Sequence, residues 1–182
     1  MIKRNLSSGE SIYIFDDVFD ASQILDYEKY ASKCMFHRIP VFHLETNSRS
    51  NGEMFFGSVL SESDLLNFSI FNTVGFSKIS SYFENMIIKR SWILCAETST
   101  KYLYHTDENP GGVTMLYYVN TFWHPEWGGE TLFCNIKGEP EIAVACRPNR
   151  VVIFPSNLWH KPSGITRDAA TRFSSTTTFI PK

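Results

Sequence analysis

The amino-acid sequence predicts a mainly β (α+β) protein, a jelly roll with N-terminal helices packed on one sheet. After residue 90 the chain consists of short β-branched and aromatic runs separated by turns such as NPGG, HPEWGG and KPSG. Short strands with a turn every 8–12 residues or so are typical of a sandwich or barrel. Before residue 90 the apolar residues recur more often at helical spacing.

Length and composition indicate one globular domain. The chain has 182 residues, 43% of them hydrophobic and 20% charged, including 15 Phe. This composition excludes a disordered chain, a coiled coil and a collagen-like fibre. Since domains average roughly 150 residues, we expect a single domain over 1–182, with 1–90 as a helical support region and 90–182 as a β core.

Charge and cysteine usage limit the partners and the compartment. The net charge is −2, which lacks the basic footprint of a nucleic-acid-binding protein. No apolar run reaches the roughly 18 residues that a membrane span needs, and no apolar segment follows Lys3 and Arg4 as it would in a secretory signal. The four cysteines form no C-x-x-C pair. We therefore expect a cytoplasmic monomer or homodimer that binds neither nucleic acid nor membrane.

The first elements are a strand and a capped helix. Alternating apolar residues in 11–19 predict a strand that ends at a turn. A helix is then expected near Ala21–Cys34. Asp20 is its predicted N-cap, because a carboxylate can accept the free amides of the first helical turn.

The next segments predict an edge strand, a loop and a long helix. Pro40 in 35–46 favours an edge strand over a central one. The polar residues 47–54 predict a turn or loop. Apolar residues at spacings of three and four predict a helix from Phe68 to Lys89, although Gly75 weakens it.

Six strands are predicted after residue 90. They are SWILCAETST (91–100), VTMLYYVN (113–120), ETLFCN (130–135), EIAVAC (141–146), RVVIFP (150–155) and TRFSSTTTF (171–179).

Three residues in this half could bind a metal. His105 and Asp107 are two positions apart, so on a strand they point to the same face. His160 follows a later strand that can lie beside the first. Two His and one carboxylate leave three coordination positions open, the facial triad of non-haem Fe(II) enzymes. The alternative is a hydrogen-bonded His–Asp pair without a metal.

A polar face on the last strand could bind a carboxylate. Arg172, Ser174 and Thr176 share that face, and a guanidinium makes two parallel hydrogen bonds to a carboxylate. The facing residues on 113–120 are Thr114, Leu116 and Tyr118. The alternative for Arg172 is a surface ion pair with Asp168. The rival anchors are Arg167 and Lys161.

These residues carry a family resemblance. The runs YLYHTDENPGGVTMLYYVNTFWHPEWGGETLFCN and RVVIFPSNLWHKPSGI…TRFSSTTTF resemble the catalytic core of the 2-oxoglutarate- and Fe(II)-dependent dioxygenases. The prolyl 4-hydroxylase-like branch, which includes the hypoxia-sensing prolyl hydroxylases, is the most similar. Shared features are H-x-D before a Gly-containing turn, Y-Y-hydrophobe-N, a GG turn, a second His after a strand, and T-R-aromatic about ten residues later.

The resemblance implies a double-stranded β-helix whose catalytic core is 90–182. It implies His105, Asp107 and His160 as catalytic iron ligands. Arg172 and Tyr118 would bind the C5 carboxylate of 2-oxoglutarate, in a co-substrate pocket that we expect to include Thr114, Leu116 and Ser174. The implied cofactors are Fe(II), 2-oxoglutarate and O₂, with ascorbate as an optional reductant.

Two features distinguish this chain within the resemblance. Collagen-type prolyl hydroxylases usually have Lys where this chain has Arg172, so the hypoxia-sensing type is more similar there. Many relatives carry a Tyr about ten residues before the first His, where this chain has Cys95 and Ala96. The carboxylate of Asp107 also separates the chain from halogenases, which have a small residue at that position.

The function expected from the resemblance is hydroxylation of an unactivated carbon, with release of succinate and CO₂. The leading substrate is a prolyl residue of a peptide or protein. One alternative is hydroxylation of a free amino acid or other small metabolite, which suits a closed cup with a second charged anchor. The non-enzyme alternative is a cupin-like metal-binding module, which would need neither Arg172 nor Tyr118.

Some aromatic and histidine residues could border the substrate entrance, together with loop 47–56. They are Trp123, His124, Trp127 and Trp159. Packing of the Trp side chains at the sandwich edge is the favoured interpretation. His124 is a rival metal ligand, whereas His37 and His43 are expected to be structural or surface residues.

Overall fold

A computed structural model provides the structure of the protein. It describes residues 1–43, 48–61, 63–64, 71, 73–98, 100, 102–107, 111–135 and 137–182, with side chains described outside 39–55. Within these residues no helix has both the length and the apolar character that a membrane crossing requires.

Strands dominate the described residues, as the sequence predicts. In chain order they are β1 Ile2–Asn5, β2 Ser11–Phe15, β3 His37–His43, β4 Ser48–Val59, β5 Met86–Ala96, β6 Val113–Tyr118, β7 Thr131–Cys134, β8 Pro140–Val144, β9 Val151–Pro155, β10 His160–Pro162 and β11 Arg172–Pro181. The helices whose full length is described are α1 Ala21–Ala31 and the single turn α2 Val74–Ser77, with 3₁₀ turns at Ser80–Phe83 and Pro125–Trp127.

The strands form two antiparallel sheets, which confirms the double-stranded β-helix. The major sheet has eight strands in the order β1-β2-β9-β6-β11-β5-β4-β3. The minor sheet has three, in the order β10-β7-β8. A sheet closed in this way on a second sheet buries one face of each.

Two apolar cores lie on opposite faces of the major sheet. On the outer face, α1 and the 3₁₀ turn Ser80–Phe83 pack against the central strands. Tyr27 of α1 contacts the ring of Tyr117, and its hydroxyl lies 2.9 Å from the hydroxyl of Ser175 on β11. On the inner face, the minor sheet packs against β2, β9 and β6. The predicted packing of a helix on one sheet is therefore confirmed.

The predicted start of α1 is confirmed in detail. The carboxylate of Asp20 accepts the backbone N–H of Gln23 at 2.9 Å, and the Gln23 side chain accepts the N–H of Asp20 at 3.1 Å. These reciprocal bonds form a capping box. Hydrogen bonds from Ser22 and from the Gln23 amide lower the pKa of Asp20.

The predicted helix from Phe68 to Lys89 is wrong for the described part of that segment. Between residues 73 and 85 the chain forms α2 and the 3₁₀ turn Ser80–Phe83, and β5 begins at Met86. Asn85 has φ 59°, which breaks a right-handed helix. The apolar residues at helical spacing pack instead from successive turns, while β5 pairs along β11 from Met86 to Ala96.

The loop predicted over 47–54 is also wrong where it is described, because 48–54 belong to β4. The polar side chains do not prevent strand pairing, since the backbone supplies the hydrogen bonds to β3. β3 lies at the edge of the major sheet, as Pro40 predicts, and its register shifts between Pro40 and Phe42.

Candidate metal centre

The two histidines are brought together by a backbone bridge. The amide of His105 donates to the carbonyl of His160 at 2.9 Å, and the amide of His160 donates back at 3.0 Å. The amide of Asp107 donates to the carbonyl of Ser156 at 2.8 Å. As a result, ligand atoms of His105, Asp107 and His160 all lie within 4.8 Å of one another. The three side chains that the sequence singles out therefore converge.

Hydrogen bonds orient both imidazole rings toward a common point. Nδ1 of His105 lies 3.1 Å from the carbonyl of Leu103, and Nδ1 of His160 lies 2.9 Å from the carbonyl of Leu158. A neutral imidazole that donates through Nδ1 presents a lone pair at Nε2. The Nε2 atoms lie 3.9 Å (His105) and 3.7 Å (His160) from the two carboxylate oxygens of Asp107. This donor set fits a metal ion bound by two imidazoles and one carboxylate.

The surroundings of His105 favour its uncharged ring. Burial, followed by the neighbouring His160, lowers the pKa of His105 to about 4. A neutral ring is the form that binds a metal.

Asp107 is held by the side chains of Thr114 and Arg90. The hydroxyl of Thr114 donates to its Oδ2 at 2.8 Å and lies 2.9 Å from the hydroxyl of Ser156. Nη2 of Arg90 donates to the backbone carbonyl of Asp107 and lies 3.8 Å from its Oδ1. Thr114 therefore orients the carboxylate and does not line the cavity beside it. Arg90 was not singled out from the sequence, because nothing local links it to a residue 17 positions later.

A cavity runs from the triad into the space between the sheets. Its described lining residues are Leu94, His105, Asp107, Leu116, Thr131, Phe154, His160, Pro162, Arg172, Ser174 and Thr176. Arg172, Leu116 and Ser174 are thus three of the five residues that the sequence assigns to the co-substrate pocket.

Arg172 is a buried cation without an anionic partner. Its side chain is 3% exposed, and Nη1 donates to the hydroxyl of Ser174 at 3.4 Å. Its buried Nε has no hydrogen-bond partner, and no carboxylate among the described residues pairs with it. A buried guanidinium is stable only when an anion or hydrogen bonds compensate it. The cavity at Arg172 therefore fits a bound carboxylate.

Tyr118 lies beside Arg172 but its hydroxyl is already engaged. The Arg172 Cζ is 5.1 Å from the ring centroid, a cation–π arrangement. The Tyr118 hydroxyl lies 2.8 Å from Oγ1 of Thr131 and donates to the carbonyl of Val144 at 3.2 Å. The ring of Tyr118 therefore packs against the guanidinium of Arg172. Contact between the Tyr118 hydroxyl and a co-substrate stays a prediction.

Asn120 clamps the backbone on both sides of Arg172. Its Nδ2 donates to the carbonyl of Thr171 at 2.9 Å, and its Oδ1 accepts the amide of Phe173 at 2.7 Å. The sequence marks Asn120 only as the last letter of Y-Y-hydrophobe-N.

The rival residues lie elsewhere. Arg167 is exposed, and Nζ of Lys161 sits 4.5 Å from the ring centroid of Tyr104. His124 caps the 3₁₀ turn that follows it by accepting the amide of Glu126. Trp123 is buried in the inner core and Trp127 packs on it. None of these residues lines the described cavity. The side chain of His43 lies outside the described residues.

Comparisons with known proteins agree with the geometry of the site. A family model described as the 2OG-Fe(II) oxygenase superfamily matches residues 91–180, the segment that contains the triad and Arg172. A search of curated protein sequences finds no match.

Solved structures share the fold at low sequence identity. A 2OG-Fe(II) oxygenase family oxidoreductase from Burkholderia pseudomallei is 10% identical, with 93% of this chain and 84% of that chain covered and a TM-score of 0.69. A prolyl hydroxylase from Trichoplax adhaerens, in complex with a hypoxia inducible factor peptide fragment, is 16% identical (93% and 83% covered, TM-score 0.66). The α-ketoglutarate-dependent epimerase SnoN from nogalamycin biosynthesis is 12% identical (93% and 78% covered, TM-score 0.69).

Neighbours with different chemistry thus share one architecture, so the fold leaves the reaction open. The matched family, the converging His–Asp–His set and the buried arginine agree with one another. Residues 91–180, which carry the His–Asp–His set and Arg172, match the 2OG-Fe(II) oxygenase superfamily, and the cofactor and co-substrate are Fe(II) and 2-oxoglutarate, as in that superfamily.

Proposed function

We propose that this protein is a 2-oxoglutarate- and Fe(II)-dependent hydroxylase acting on a prolyl residue of a peptide or protein. Residues 1–182 would act as one oxygenase domain. One observation carries the proposal: the His–Asp–His set lines the same cavity as the buried guanidinium of Arg172, with which no carboxylate of the described residues pairs. A metal-binding module of the cupin kind would have no use for a buried cation at that place.

The residues divide the work between metal and co-substrate. His105, Asp107 and His160 would hold Fe(II), with Thr114 fixing the carboxylate of Asp107 and Arg90 its backbone carbonyl. When bound, Fe(II) supplies the activation of O₂ that is coupled to decarboxylation of 2-oxoglutarate. Arg172 would bind the far carboxylate of the co-substrate, because the guanidinium offers paired donors in a water-poor site.

The cavity lining favours a peptide over a free amino acid. Apart from the triad and Arg172, every described lining residue is uncharged. A free amino acid would need a second charged group for its carboxylate or ammonium ion, whereas a residue within a peptide has neither. The similarity to prolyl hydroxylase structures supports the prolyl assignment only through the fold.

The first test is the visible spectrum of the anaerobic Fe(II) protein before and after addition of 2-oxoglutarate. We expect a weak new charge-transfer band with the wild type, none with His160→Ala, and a much higher 2-oxoglutarate requirement with Arg172→Ala at unchanged iron binding. The absence of the band in wild-type protein that binds iron would contradict the assignment of the pocket. Succinate release with proline-containing peptides, absent when each proline is replaced by alanine, then tests the substrate.

A further inference from the structure

The minor sheet covers only part of the inner face of the major sheet among the described residues. Its strands β2, β9 and β6 lie under the minor sheet, and the inner-facing residues of β6 are all buried: Thr114, Leu116 and Tyr118. No described residue of β4 or β5 belongs to that inner core. The three strands of the minor sheet are too few to cover the eight of the major sheet, so among the described residues the minor sheet leaves the inner face of β4 and β5 uncovered.

The burial pattern of β5 shows the same asymmetry. Ser91 and Ile93, which face the helix side, are 2% and 0% exposed. Trp92 and Leu94, which alternate with them and face inward, are only partly buried. The open side of β5 is therefore the side that faces the metal cavity, and Leu94 lines that cavity.

Trp92 lies in one lateral row with cavity residues. In the sheet register Val59 pairs with Trp92, Trp92 with Thr176, and Thr176 with Leu116. Thr176 and Leu116 both line the cavity. Since neighbouring strands are about 4.8 Å apart, Trp92 lies roughly one strand spacing from the cavity wall. Val59 continues the row outward and is 63% exposed.

The chemistry of this surface is apolar and aromatic. We define the β5 shelf as Val59, Trp92 and Leu94. Arg90, the next inward-facing residue of β5, is already bound to the Asp107 carbonyl and lies 3.4 Å from the hydroxyl of Thr178. The shelf thus offers an indole ring and aliphatic carbon at the edge of the cavity that contains the triad, which suits a compact apolar ring.

We propose that the β5 shelf is the substrate subsite, and that it takes the side chain of the apolar residue, a prolyl ring in a peptide, to be hydroxylated. This inference rests on the proposed function and names the residues that select its substrate. Trp92 is the main contact, because it offers the largest flat apolar surface next to the cavity. Val59 forms the outer rim.

The test measures binding without turnover. The anaerobic protein loaded with Fe(II) and 2-oxoglutarate is titrated into five pools of fluorescein-labelled decapeptides, randomised except for a fixed central Pro, Leu, Ser, Asp or Lys. Fluorescence anisotropy reports binding. We expect the Pro pool to bind best and the Asp and Lys pools to bind worst.

Four variants locate the subsite. Trp92→Ala should weaken binding of the Pro pool about tenfold and remove the preference over the charged pools, whereas Trp92→Phe should keep it. Val59→Ser should weaken binding of the Pro pool about threefold. Because Val59 is exposed, this substitution should have little effect on stability. Phe122→Ala is the control. Phe122 is an aromatic residue with the same exposed fraction as Val59, 63%, and it lies outside the cavity lining.

The outcomes separate the two proposals. Absence of the 2-oxoglutarate charge-transfer band in wild-type protein that binds iron would overturn the proposed function. A normal band with equal binding of all five pools would overturn the apolar subsite. Selective binding of the Pro pool that survives in Trp92→Ala would place the subsite elsewhere and overturn the role of the shelf.

Discussion

At the scale of single residues, local spacing predicts which side chains share a face, and pairing between distant strands decides what they contact. His105 and Asp107 are two positions apart, so their convergence could be predicted. Thr114 shares a face of β6 with Tyr118. Its hydrogen bond to Asp107, however, depends on how residues 102–107 lie against β6 in the folded protein. Arg90 and Trp92 were missed for the same reason, since their partners lie on other strands.

The clamp on Arg172 leads to the first residue-scale prediction. Asn120→Ala should raise the dissociation constant for 2-oxoglutarate about tenfold, because the backbone on both sides of Arg172 loses a hydrogen bond, and tenfold corresponds to about 1.4 kcal/mol. The band of the anaerobic Fe(II) protein, titrated with 2-oxoglutarate, measures it. Iron affinity should be unchanged.

Asn149 provides a matched control for that variant. It clamps Phe19 in the same manner, with its Nδ2 donating to the Phe19 carbonyl at 2.7 Å and its Oδ1 accepting the Phe19 amide at 2.9 Å. Both alanine variants should lower the free energy of unfolding by about 1–3 kcal/mol, as expected for buried hydrogen bonds. An equal loss of 2-oxoglutarate affinity in both would show that Asn120 acts only through stability.

At the scale of elements, the turn before β7 shapes the pocket around Arg172. Gly129 has φ +78°, and a Cβ there would lie 3.0 Å from Cδ of Arg172 and 3.2 Å from Cγ2 of Ile165. The amide of Gly129 donates to the carbonyl of Gly164 at 3.1 Å, so the turn is fixed against the segment after β10. The side chain of Arg172 therefore fits beside residue 129 because glycine has no Cβ to contact it.

Gly129→Ala is accordingly expected to weaken 2-oxoglutarate binding in addition to straining the backbone. Gly138→Ala is the control, because Gly138 has φ +80° and nothing within 4 Å of an added Cβ. Both variants should lose about 1–3 kcal/mol of unfolding free energy in chemical denaturation. Only Gly129→Ala should raise the 2-oxoglutarate dissociation constant. Unchanged affinity would mean that Arg172 moves aside without cost.

The elements themselves were predictable where one local signal dominates. Asp20 caps α1 as its carboxylate predicts, and Pro40 marks an edge strand. The segment before β5 was not predictable, because apolar residues at helical spacing pack equally well from a chain of short turns once Asn85 adopts a positive φ. The strands β1 and β10 escaped prediction because three or four residues are too short to show a period.

At the scale of the whole molecule, an ion pair joins two neighbouring strands of the major sheet. Nε and Nη2 of Arg150, before β9, donate to Oδ1 and Oδ2 of Asp16, after β2, at 2.6 and 3.0 Å. These hydrogen bonds from Arg150 hold the pKa of Asp16 below its ordinary value of 3.8. The folded state therefore binds the Asp16 proton less readily than the unfolded state does.

This linkage predicts the acid dependence of stability. A lowered folded-state pKa gives stability that is fully present above the unfolded value near 3.8 and is lost as the pH falls through the folded value. Unfolding free energies of wild type and Asp16→Asn, measured from about pH 6 down to about pH 2, should therefore converge below pH 4 or so. Parallel curves over that range would show that the pair contributes no pH-dependent stability.

The sequence by itself determined the fold class, the shared face of His105 and Asp107 and the polar face of Arg172, because each depends on local spacing and on the pattern of short strands and turns. Only the tertiary structure decided that Thr114 holds Asp107, that the Tyr118 hydroxyl turns to Thr131, and that Trp92 pairs with Thr176 of the cavity wall. These contacts depend on strand register and on how far the minor sheet reaches across the major one. Both are set by pairing between segments distant in sequence, which local periodicity does not encode.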